Sequence, residues 1–444
     1  MFEWVSARKL RAVARQVVCG IVLVVATQKS DAAPNEVPRV LNGSLETSSV
    51  HGTLESTIRG LTDTGPRAIW VGYSVPKVLG KKPVCVGRGG GDSDTCWLGR
   101  DDEGTGISTE LQCDGSSSEL WILYKIRQGQ VRGVRIVARG VTLDAGGLPL
   151  VWLSGVRPAD SVRELALLIQ RPRSTMPAQL ELAQGALTAI ALHGDDAAPS
   201  ELSRIGRQSE SPVLREKALF WLAKHGGQLA ERTIADAVVH DPDLEVREQA
   251  IYAFTQLPDD KGRGGLIEAG MHDGNAEVRK KALFWLAKLG GAQAEDVIMR
   301  AIKRDPVAEV KEQAVYALTQ LPGDSGIPQL IQTAQTAAVP GIRGKALFWL
   351  AKQGGERAQT TIMSAVESDT DLEVRKQAVF ALSQLPGDAG LPRLIEVART
   401  SGDSEIRLTA RLLLARSDDI RALQFLEVRS SGDAHKTARE NTQP

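Results

Sequence analysis

Histidine and serine are the residue types most able to perform acid–base and nucleophilic chemistry, and the chain has six histidines. No histidine stands in an H-E-x-x-H motif or in an i, i+4 pair that could bind zinc from one helix face. No serine lies in the glycine-flanked turn that exposes the nucleophile of α/β hydrolases. We therefore predict a non-enzymatic protein without a catalytic residue, a metal site or a cofactor. The histidines are His51, His193, His225, His240, His272 and His435.

A glycine-rich segment at residues 87–94 places three consecutive glycines, Gly89 to Gly91, beside Asp92 and Asp94. Glycines and acidic residues of this kind occur in phosphate loops and in calcium sites. The spacing here matches neither a phosphate loop nor an EF-hand, so we predict a flexible surface loop.

Six aromatic residues recur at intervals of 32 and could support binding rather than catalysis. At about 100 degrees per residue they point roughly 240 degrees round a helix whose core positions cluster near about 30 degrees. They should form a stripe along the repeats, which would be an apolar surface for an extended peptide or a partner helix. In the alternative interpretation each ring packs on the neighbouring repeat and only holds the stack together. The stripe residues are Phe220, Tyr252, Phe284, Tyr316, Phe348 and Phe380.

The elements that position this stripe belong to a repeat array. A basic residue recurs every 32 positions, each preceded by Leu, Val or Ile and followed three positions later by Ala. A unit of about 32 residues with two short helices cannot bury its own apolar faces, so neighbouring units must stack and share a core. The basic residues of this repeat ladder are Arg215, Arg247, Arg279, Lys311, Arg343, Arg375 and Arg407.

Two repeat types alternate with a period of 64. The segment KALFWLAK begins at Lys217, Lys281 and Lys345, and the intervening units read EQAIYAFTQLP, EQAVYALTQLP and KQAVFALSQLP. One type has a tryptophan where the other has an alanine, and large beside small suits interdigitating core packing. We therefore predict that Trp221, Trp285 and Trp349 lie in the core. Lys224, Lys288 and Lys352 follow alternate stripe residues by four positions, where they could cover the rings or rim a groove.

These units resemble HEAT repeats, particularly the short bacterial kind seen in phycobilisome-lyase-like proteins, and the resemblance covers roughly residues 177–428. It implies an α-α superhelix of the HEAT/armadillo-like type with about eight repeats. That family also tends to place an Asp six residues before the ladder residue, and Ser209, Ala337 and Ser401 break this rule. We predict a structural role, in which each Asp caps a helix and pairs with the ladder residue of the same or the adjacent repeat. The aspartates are Asp241, Asp273, Asp305 and Asp369.

The N-terminus has the pattern of a secretory signal peptide, predicted to cover residues 1–32. Four basic residues between positions 8 and 15 precede an apolar run at residues 17–26, and a small-residue site follows at Ala32. We expect a periplasmic or secreted protein, with an uncleaved membrane anchor as the alternative. No other stretch could span a bilayer.

The charge of the mature chain argues against nucleic-acid binding. Removing residues 1–32 takes five of 54 basic and two of 54 acidic side chains, leaving 49 against 52 and a net charge of −3. A nucleic-acid binder normally has a basic excess, because phosphate contacts supply most of its affinity.

Three cysteines remain after the signal peptide, and in an exported protein two of them can pair. Cys85 with Cys96 closes the shortest loop, and Cys113 is the alternative partner. A zinc site would need a fourth ligand, and no histidine lies near them.

A different kind of chain, at residues 33–157, precedes the repeats and predicts a small mainly-β or α+β domain. Residues 69–75 alternate as a strand does, and residues 120–124 and 131–137 flank Gln128-Gly129 as a hairpin would. Residues 53–61 predict a short helix. The stretches at residues 70–76 and 143–162 resemble the N-terminal module of some bacterial HEAT-repeat proteins, and that resemblance implies architecture only.

The full organisation predicted is therefore a signal peptide, the N-terminal domain, a linker or helix at residues 158–176, the solenoid at residues 177–428 and a disordered tail at residues 429–444. We predict an exported scaffold that binds a protein or peptide through the solenoid, with homo-oligomerisation as a further option. The rival hypothesis makes the N-terminal domain an enzyme or a small-ligand module for which the solenoid recruits the substrate.

Overall fold

The computed structural model describes residues 37–63, 68–78, 85–86, 95–99, 110–111, 118–170 and 177–427. The predicted signal peptide, the tail at residues 429–444 and the glycine-rich segment at residues 87–94 lie outside the described residues. Apart from Val37, the described residues belong to one compact unit that begins at Pro38.

The N-terminal domain is built from short strands, and the hairpin predicted at residues 120–137 is its longest feature. Its turn at Gln128 and Gly129 has positive φ at both residues, which is the backbone conformation of a type I′ hairpin turn. The strands are β1 (Val40–Leu41), β2 (Leu45–Ser49), β3 (Ala68–Pro76), β4 (Cys85–Val86), β5 (Thr95–Trp97), β6 (Glu110–Leu111), β7 (Glu119–Arg127), β8 (Gln130–Ala138), β9 (Thr142–Asp144) and β10 (Leu150–Ser154).

The central sheet has the order β2-β10-β3-β7-β8. Strand β10 pairs in parallel with β2 and β3, whereas β3, β7 and β8 pair antiparallel. Alternate residues of β3 and β7 face opposite sides of this sheet, and both sides are buried. On one side Trp70, Trp121 and Trp152 pack with Leu143 of a second, parallel sheet of order β1-β9-β5.

The other side of the central sheet is covered by helices. Helix α1 (Leu54–Asp63) and helix α2 (Pro158–Gln170) contribute Leu54, Val162 and Leu165 to the same buried cluster as Tyr73 of β3. The cluster continues into the repeats, because the first helix of the array packs on β8 and on α2. The N-terminal domain and the solenoid therefore share one hydrophobic core.

The remaining chain folds as pairs of helices, and the predicted α solenoid is confirmed. Within residues 177–427 eight pairs occur, the last completed by a helix at residues 420–427. The first helices are α3 (Pro177–Leu192), α5 (Pro212–His225), α7 (Leu244–Phe254), α9 (Ala276–Leu289), α11 (Ala308–Leu318), α13 (Pro340–Gln353), α15 (Leu372–Ser383) and α17 (Ser404–Leu414). The second helices are α4 (Ala197–Gln208), α6 (Gly227–His240), α8 (Arg263–His272), α10 (Ala292–Arg304), α12 (Gly326–Thr336), α14 (Glu356–Ser368) and α16 (Gly390–Thr400).

Each first helix packs on the first helices before and after it, and each second helix packs on the next first helix. Ala and Leu at the spacing of one helix face fill the space between them; Ala250, Ala282, Leu283 and Leu286 are fully buried. The first helices therefore form a continuous row, so residues at the same position in successive repeats lie side by side.

The two alternating repeat types fit together where their first helices end. Gly226 has φ of 75°, and a Cβ there would lie 2.7 Å from Cγ of Pro258 in the next repeat. The same arrangement joins Gly290 to Pro322 and Gly354 to Pro386. Glycine is needed here both for the left-handed backbone and for the close approach of the proline ring.

Candidate functional site

The predicted aromatic stripe lies on six successive first helices, α5 to α15, and is half-buried along most of its length. Five of the six rings have intermediate exposure, and Phe380 at the end of the stripe is 44% exposed. Both interpretations of the sequence thus describe part of the structure, since the rings pack on one another and still present a face to solvent.

The stripe is continuous because the tryptophans join its members. Neighbouring stripe rings stack with centroids 6.2 to 6.4 Å apart in alternate interfaces. In the other interfaces a tryptophan intervenes, with its ring 4.9 Å from the tyrosine of the preceding repeat. Nine rings form one chain of contacts along the described helices α5 to α15. The order is Trp221, Phe220, Tyr252, Trp285, Phe284, Tyr316, Trp349, Phe348 and Phe380.

The prediction that the tryptophans are core residues is only partly right. Trp221, Trp285 and Trp349 are half-buried and pack on the core with one part of the ring. At the same position the alternate repeats carry fully buried alanines, such as Ala253 and Ala317. The Cα position is therefore internal, but an indole is too large for it and extends outward to the stripe.

Lysines lie over rings of the stripe, which is one of the two roles that their spacing allowed. The Nζ atoms of Lys224, Lys288 and Lys352 lie 5.4 to 5.6 Å from the ring centroids of the phenylalanines four residues before them. This is the geometry of a cation–π contact, worth about 0.5–1 kcal/mol at an exposed site. Lys352 also donates to Oε1 of Gln384 in the next repeat, at 2.9 Å. A row of positive charge thus follows the stripe at the carboxyl ends of these helices.

One part of the stripe opens into a groove of about 730 Å³ between α9, α11, α13 and α15. Its apolar lining is Tyr316, Phe348, Trp349 and Phe380. The opening lies over Gly341, where α13 lacks a side chain that most other repeats carry on this surface. Gly344, one turn further on, is buried beneath the side-chain amide of Gln377 from α15. We call the open space over Gly341 the notch.

The repeat register shows what the notch replaces. Where α13 has Gly341, the preceding and following repeats have Glu309 and Glu373, and where it has Gly344 they have Glu312 and Lys376. A Cβ at Gly341 would meet no atom within 4 Å. A Cβ at Gly344 would overlap the side-chain amide of Gln377, which leans over the glycine from α15. The sequence signal was present as a break in the pattern, but it was not recognised from the sequence.

The charged rim of the groove is largely paired. Lys345 Nζ lies 2.9 Å from Glu312 Oε2, and Lys280 Nζ lies 2.8 Å from Glu277 Oε1. Such exposed pairs contribute at most about 1 kcal/mol each, so they shape the rim more than they stabilise the fold. Glu309 is exposed and forms no ion pair among the described residues, which leaves one acidic group beside the notch.

The repeat ladder lies on the other side of the first helices, at the junctions between repeats. Arg279 donates to both carboxylate oxygens of Asp305, at 2.8 and 2.9 Å, and Arg215 donates in the same way to Asp241. Each arginine thus binds the aspartate of the following repeat, 26 residues later. The same junction is made by Arg247 with Asp273 and by Arg343 with Asp369.

Each of these aspartates has a second function in its own repeat. Asp305 Oδ1 accepts from the backbone N–H of Val307 at 2.9 Å, and Asp369 Oδ1 accepts from that of Asp371 at 2.9 Å. The hydrogen bonds from Arg343 hold the pKa of the Asp369 carboxyl below its usual value. One carboxylate therefore fixes the entry to a first helix and joins that helix to the previous repeat.

The contacts of the ladder residues change in the repeats that lack an Asp six residues before the ladder residue. We call the ion pair between a ladder residue and the aspartate of the next repeat the interlock. Lys311 stands opposite Ala337 and forms no ion pair among the described residues, so this junction lacks the interlock. Arg375 binds Asp403 at 3.0 Å instead of the serine at position 401. Arg407 donates to the carbonyl oxygen of Ser401 at 2.6 Å. The missing interlock falls in the repeat that carries the notch.

A buried polar cluster joins the N-terminal domain to the first repeat, and nothing in the sequence indicated it. Ser161 Oγ of α2 lies 2.7 Å from Tyr73 Oη and 2.8 Å from His193 Nε2, and Tyr73 Oη lies 2.8 Å from Tyr124 Oη. Burial lowers the pKa of His193 to about 4 and raises the pKa of both tyrosines. A serine beside a histidine can form a nucleophile and base. Here both side chains have no exposed surface, so the cluster serves packing.

The cysteines and possible metal ligands add no site in the described part of the chain. Cys96 is buried and its thiol is free there, and burial raises its pKa to about 11. The side chain of Cys85 and the whole of Cys113 lie outside the described residues, so the disulfide stays a prediction. Among the described residues no group of three or more His, Cys, Asp or Glu side chains could hold a metal ion.

The fold and the groove define an α-solenoid repeat protein with a small sheet domain at the start of the array. The family model for HEAT repeats matches residues 265–351, 327–415 and 360–441. The chain therefore contains HEAT repeats, and this predicted resemblance is confirmed. No helix of the described residues is long and apolar enough to cross a membrane.

Solved structures that resemble the chain do so at low identity. Human deoxyhypusine hydroxylase in complex with glycerol is 17% identical over 58% of this chain and 96% of its own, with a TM-score of 0.25. The complex of CpcE and CpcF of phycocyanin lyase from Nostoc sp. PCC7120 is 19% identical over 54% and 96%, with a TM-score of 0.27. Kap121p bound to Ste12p is 16% identical over 58% and 37%, with a TM-score of 0.32. At such TM-scores we base no functional conclusion on these proteins. Among curated proteins no sequence matches the chain.

Proposed function

We propose that the chain is an exported, non-enzymatic scaffold that binds an extended segment of a protein partner in the groove. The observation that carries this proposal is the notch, because it opens an aromatic surface in one repeat of an otherwise regular array. Aromatic side chains in partly enclosed grooves dominate binding energy at protein interfaces. HEAT repeats supply the rigid row of helices that such a surface needs.

A library of displayed random peptides, selected on the full chain, tests this proposal. The same library is selected in parallel on the variant Gly341→Glu, which restores the glutamate that the preceding and following repeats carry at this position. Glutamate is a better helix former than glycine by about 0.5–1 kcal/mol, and an added Cβ at Gly341 meets no atom within 4 Å, so the variant should remain folded. We expect peptides that are enriched on the native chain and absent from the variant selection.

The matched control is Gly264→Glu in α8, an exposed helical glycine whose added Cβ would meet no atom within 4 Å. This change is chemically the same and does not touch the groove. Absence of enrichment on the native chain, or equal enrichment on the native chain and on Gly341→Glu, would contradict the proposal. Enriched peptides copied from this chain's own sequence would indicate self-assembly instead.

Export rests on the N-terminal pattern of basic residues followed by an apolar run. Cell fractionation with mass spectrometry of the intact chain tests it. Recovery in the envelope or the medium with a new N-terminus near Ala33 is the expected result. A chain that stays in the cytoplasm with its original N-terminus would refute export and leave the binding proposal in place.

A further inference from the structure

We propose that two copies of this chain associate through the edge strand β2 of the central sheet, paired antiparallel about a two-fold axis at Thr47. The inference goes beyond the proposed function and does not depend on it, because β2 lies in the N-terminal domain and the groove lies among the repeats. It rests on the free backbone groups of β2, on the register in which this strand can pair with itself, and on the apolar side chains beside it.

The backbone of β2 is bonded to the central sheet on one side only. The strand stands at the end of the order β2-β10-β3-β7-β8, with β10 as its neighbour. The N–H of Leu150 in β10 donates to the carbonyl oxygen of Ser44 at 2.8 Å. The N–H of Val50 donates to the carbonyl oxygen of Ser154 at 3.1 Å. Because backbone groups alternate in direction along an extended strand, those of the even-numbered residues 44–50 point towards β10.

The odd-numbered residues Leu45, Thr47 and Ser49 therefore point their N–H and C=O groups away from the sheet. All three residues are exposed, and these backbone groups have no hydrogen-bond partner among the described residues. Edge strands are commonly protected by a proline, a lysine or a β-bulge, and the five residues of β2 include none of these. The opposite edge of the same sheet differs, because β8 is packed against β4 and α3. The edge at β2 can thus accept a further strand.

A second copy of β2 fits this edge in one favoured register. A two-fold axis pairs the two strands antiparallel, with residue i opposite j and j opposite i. If Thr47 faces Thr47 of the second copy, Leu45 faces Ser49 and every outward backbone group is used, in about six hydrogen bonds. Glu46 then lies opposite Ser48. A shift by two residues leaves about four hydrogen bonds, and one such shift places Glu46 against its own copy, where like charges repel.

Exposed apolar side chains lie beside the open edge. In the described part of the N-terminal domain from Pro38 onward, the large apolar residues that are exposed are Leu41 in β1 and Leu45 in β2. Pairing in the favoured register covers Leu45 with the second strand, on both sides of the axis. Apolar burial is thereby added to the backbone hydrogen bonds, and the two five-stranded sheets join into one.

Sedimentation equilibrium of the purified full chain, over a range of concentrations, tests the association. We expect a reversible equilibrium between monomer and dimer. Thr47→Lys and Thr47→Glu each place like charges opposite each other at the axis, so each should raise the dissociation constant at least about tenfold. An equimolar mixture of the two variants should recover the dimer, because opposite charges then meet at the axis. This recovery would also show that both variants are folded.

Two further variants serve as the control and as the test of the register. Thr47→Val keeps the size and shape of the side chain and should leave the dissociation constant unchanged. Ser48→Lys places the introduced lysine opposite Glu46 of the second copy, so it should lower the dissociation constant several-fold, and adding Glu46→Gln should cancel that gain. In the register that pairs Ser48 with itself, the same lysine would weaken the association instead.

Three results would overturn the inference. The first is a native chain that is monomeric at every concentration. The second is a dimer that persists in both Thr47→Lys and Thr47→Glu; if Phe380→Ser then abolishes it, self-association belongs to the aromatic stripe. The third is loss of the dimer in both charge variants without recovery on mixing. The peptide selection is independent of all three, so the proposed function stands or fails separately.

Discussion

The junction between Arg279 and Asp305 offers the sharpest test of how the solenoid is held together. Their side chains are only 8% and 6% exposed, and two hydrogen bonds of 2.8 and 2.9 Å join them. Asp305→Ala leaves the Arg279 guanidinium buried with the carbonyl oxygen of Asp273 at 2.9 Å as its remaining close partner. Removing one member of a buried ion pair costs about 3–5 kcal/mol. Because one carbonyl contact survives, we expect a loss near the lower end, about 3 kcal/mol.

Urea unfolding followed by far-UV circular dichroism measures this loss. Stability in a repeat array is nearly a sum over adjacent junctions, so breaking one should also broaden the transition or split it in two. Asp305→Asn is a useful second variant, because its amide oxygen can still accept from the N–H of Val307. It should therefore lose the ionic contribution and keep the helix cap.

The control is an ion pair of the same kind that is exposed. Asp296 pairs with Arg300 on α10, and their side chains are 59% and 48% exposed. Asp296→Ala should leave the free energy of unfolding nearly unchanged, because an exposed ion pair is screened by solvent. If Asp305→Ala also costs less than about 1 kcal/mol, the buried junction behaves as a surface pair and our account of the repeat ladder is refuted.

Three further predictions concern the missing junction, the buried cluster and the open end of the stripe. Installing the interlock with Lys311→Arg and Ala337→Asp together should raise stability by about 1 kcal/mol, because the pair restores a cap and a charged hydrogen bond; either change alone should do less. Stability should fall as the pH is lowered from 6.5 towards 4, since His193 is neutral in the fold while the unfolded chain takes up the proton near pH 6.5. Because the pKa of His193 in the folded protein is about 4, the loss of unfolding free energy reaches about 3 kcal/mol below pH 4. His193→Gln should remove the part of the pH dependence that this histidine causes. Phe380→Ser should abolish peptide binding and lower the free energy of unfolding by less than about 1 kcal/mol, because the Phe380 ring is 44% exposed. Replacing the half-buried Tyr316 by serine should lower the free energy of unfolding by more. Thermal unfolding and fluorescence anisotropy on the same samples check the prediction for Phe380→Ser. If replacing Phe380 lowers the melting temperature as much as replacing Tyr316 does, the exposed ring only holds the stack of helices together.

Much of the solenoid could be predicted because the same pattern of apolar and charged residues occurs in each repeat. The interval of 32 residues placed the stripe, and the offset of each ring from the core positions indicated that it leans away from the core. Lys224 and its equivalents lie over the rings, which is one of the two positions that the helical spacing allowed. The partner of each ladder arginine was left open between the same and the adjacent repeat, since both distances suit a long side chain.

The parts that could not be predicted depend on contacts between distant residues or on single departures from the pattern. Tyr73 and Ser161 are separated by 88 residues and meet only because α2 covers β3. Tyr73 and Ser161 belong to no repeating sequence pattern, so the cluster could not be predicted from residue spacing. Trp285 was assigned to the core because its position is internal, and the size of the indole overrode that assignment. The notch was overlooked because an analysis built on repetition treats Gly341 and Gly344 as noise.

That same departure from repetition is what a specific binding site on this surface requires. A strictly periodic stripe would accept a ligand equally well after a shift of 64 residues, so it could provide affinity but no unique register. Three departures of the α13 repeat from both neighbouring repeats lie at the junction and beside the groove, namely Ala337 at the junction and Gly341 and Gly344 on the first helix. Ala337 removes an interlock, and the two glycines remove side chains from the first helix. This repeat therefore has fewer stabilising contacts than its neighbours. A ligand anchored in the notch would then fix the register and replace part of the contacts that this repeat lacks.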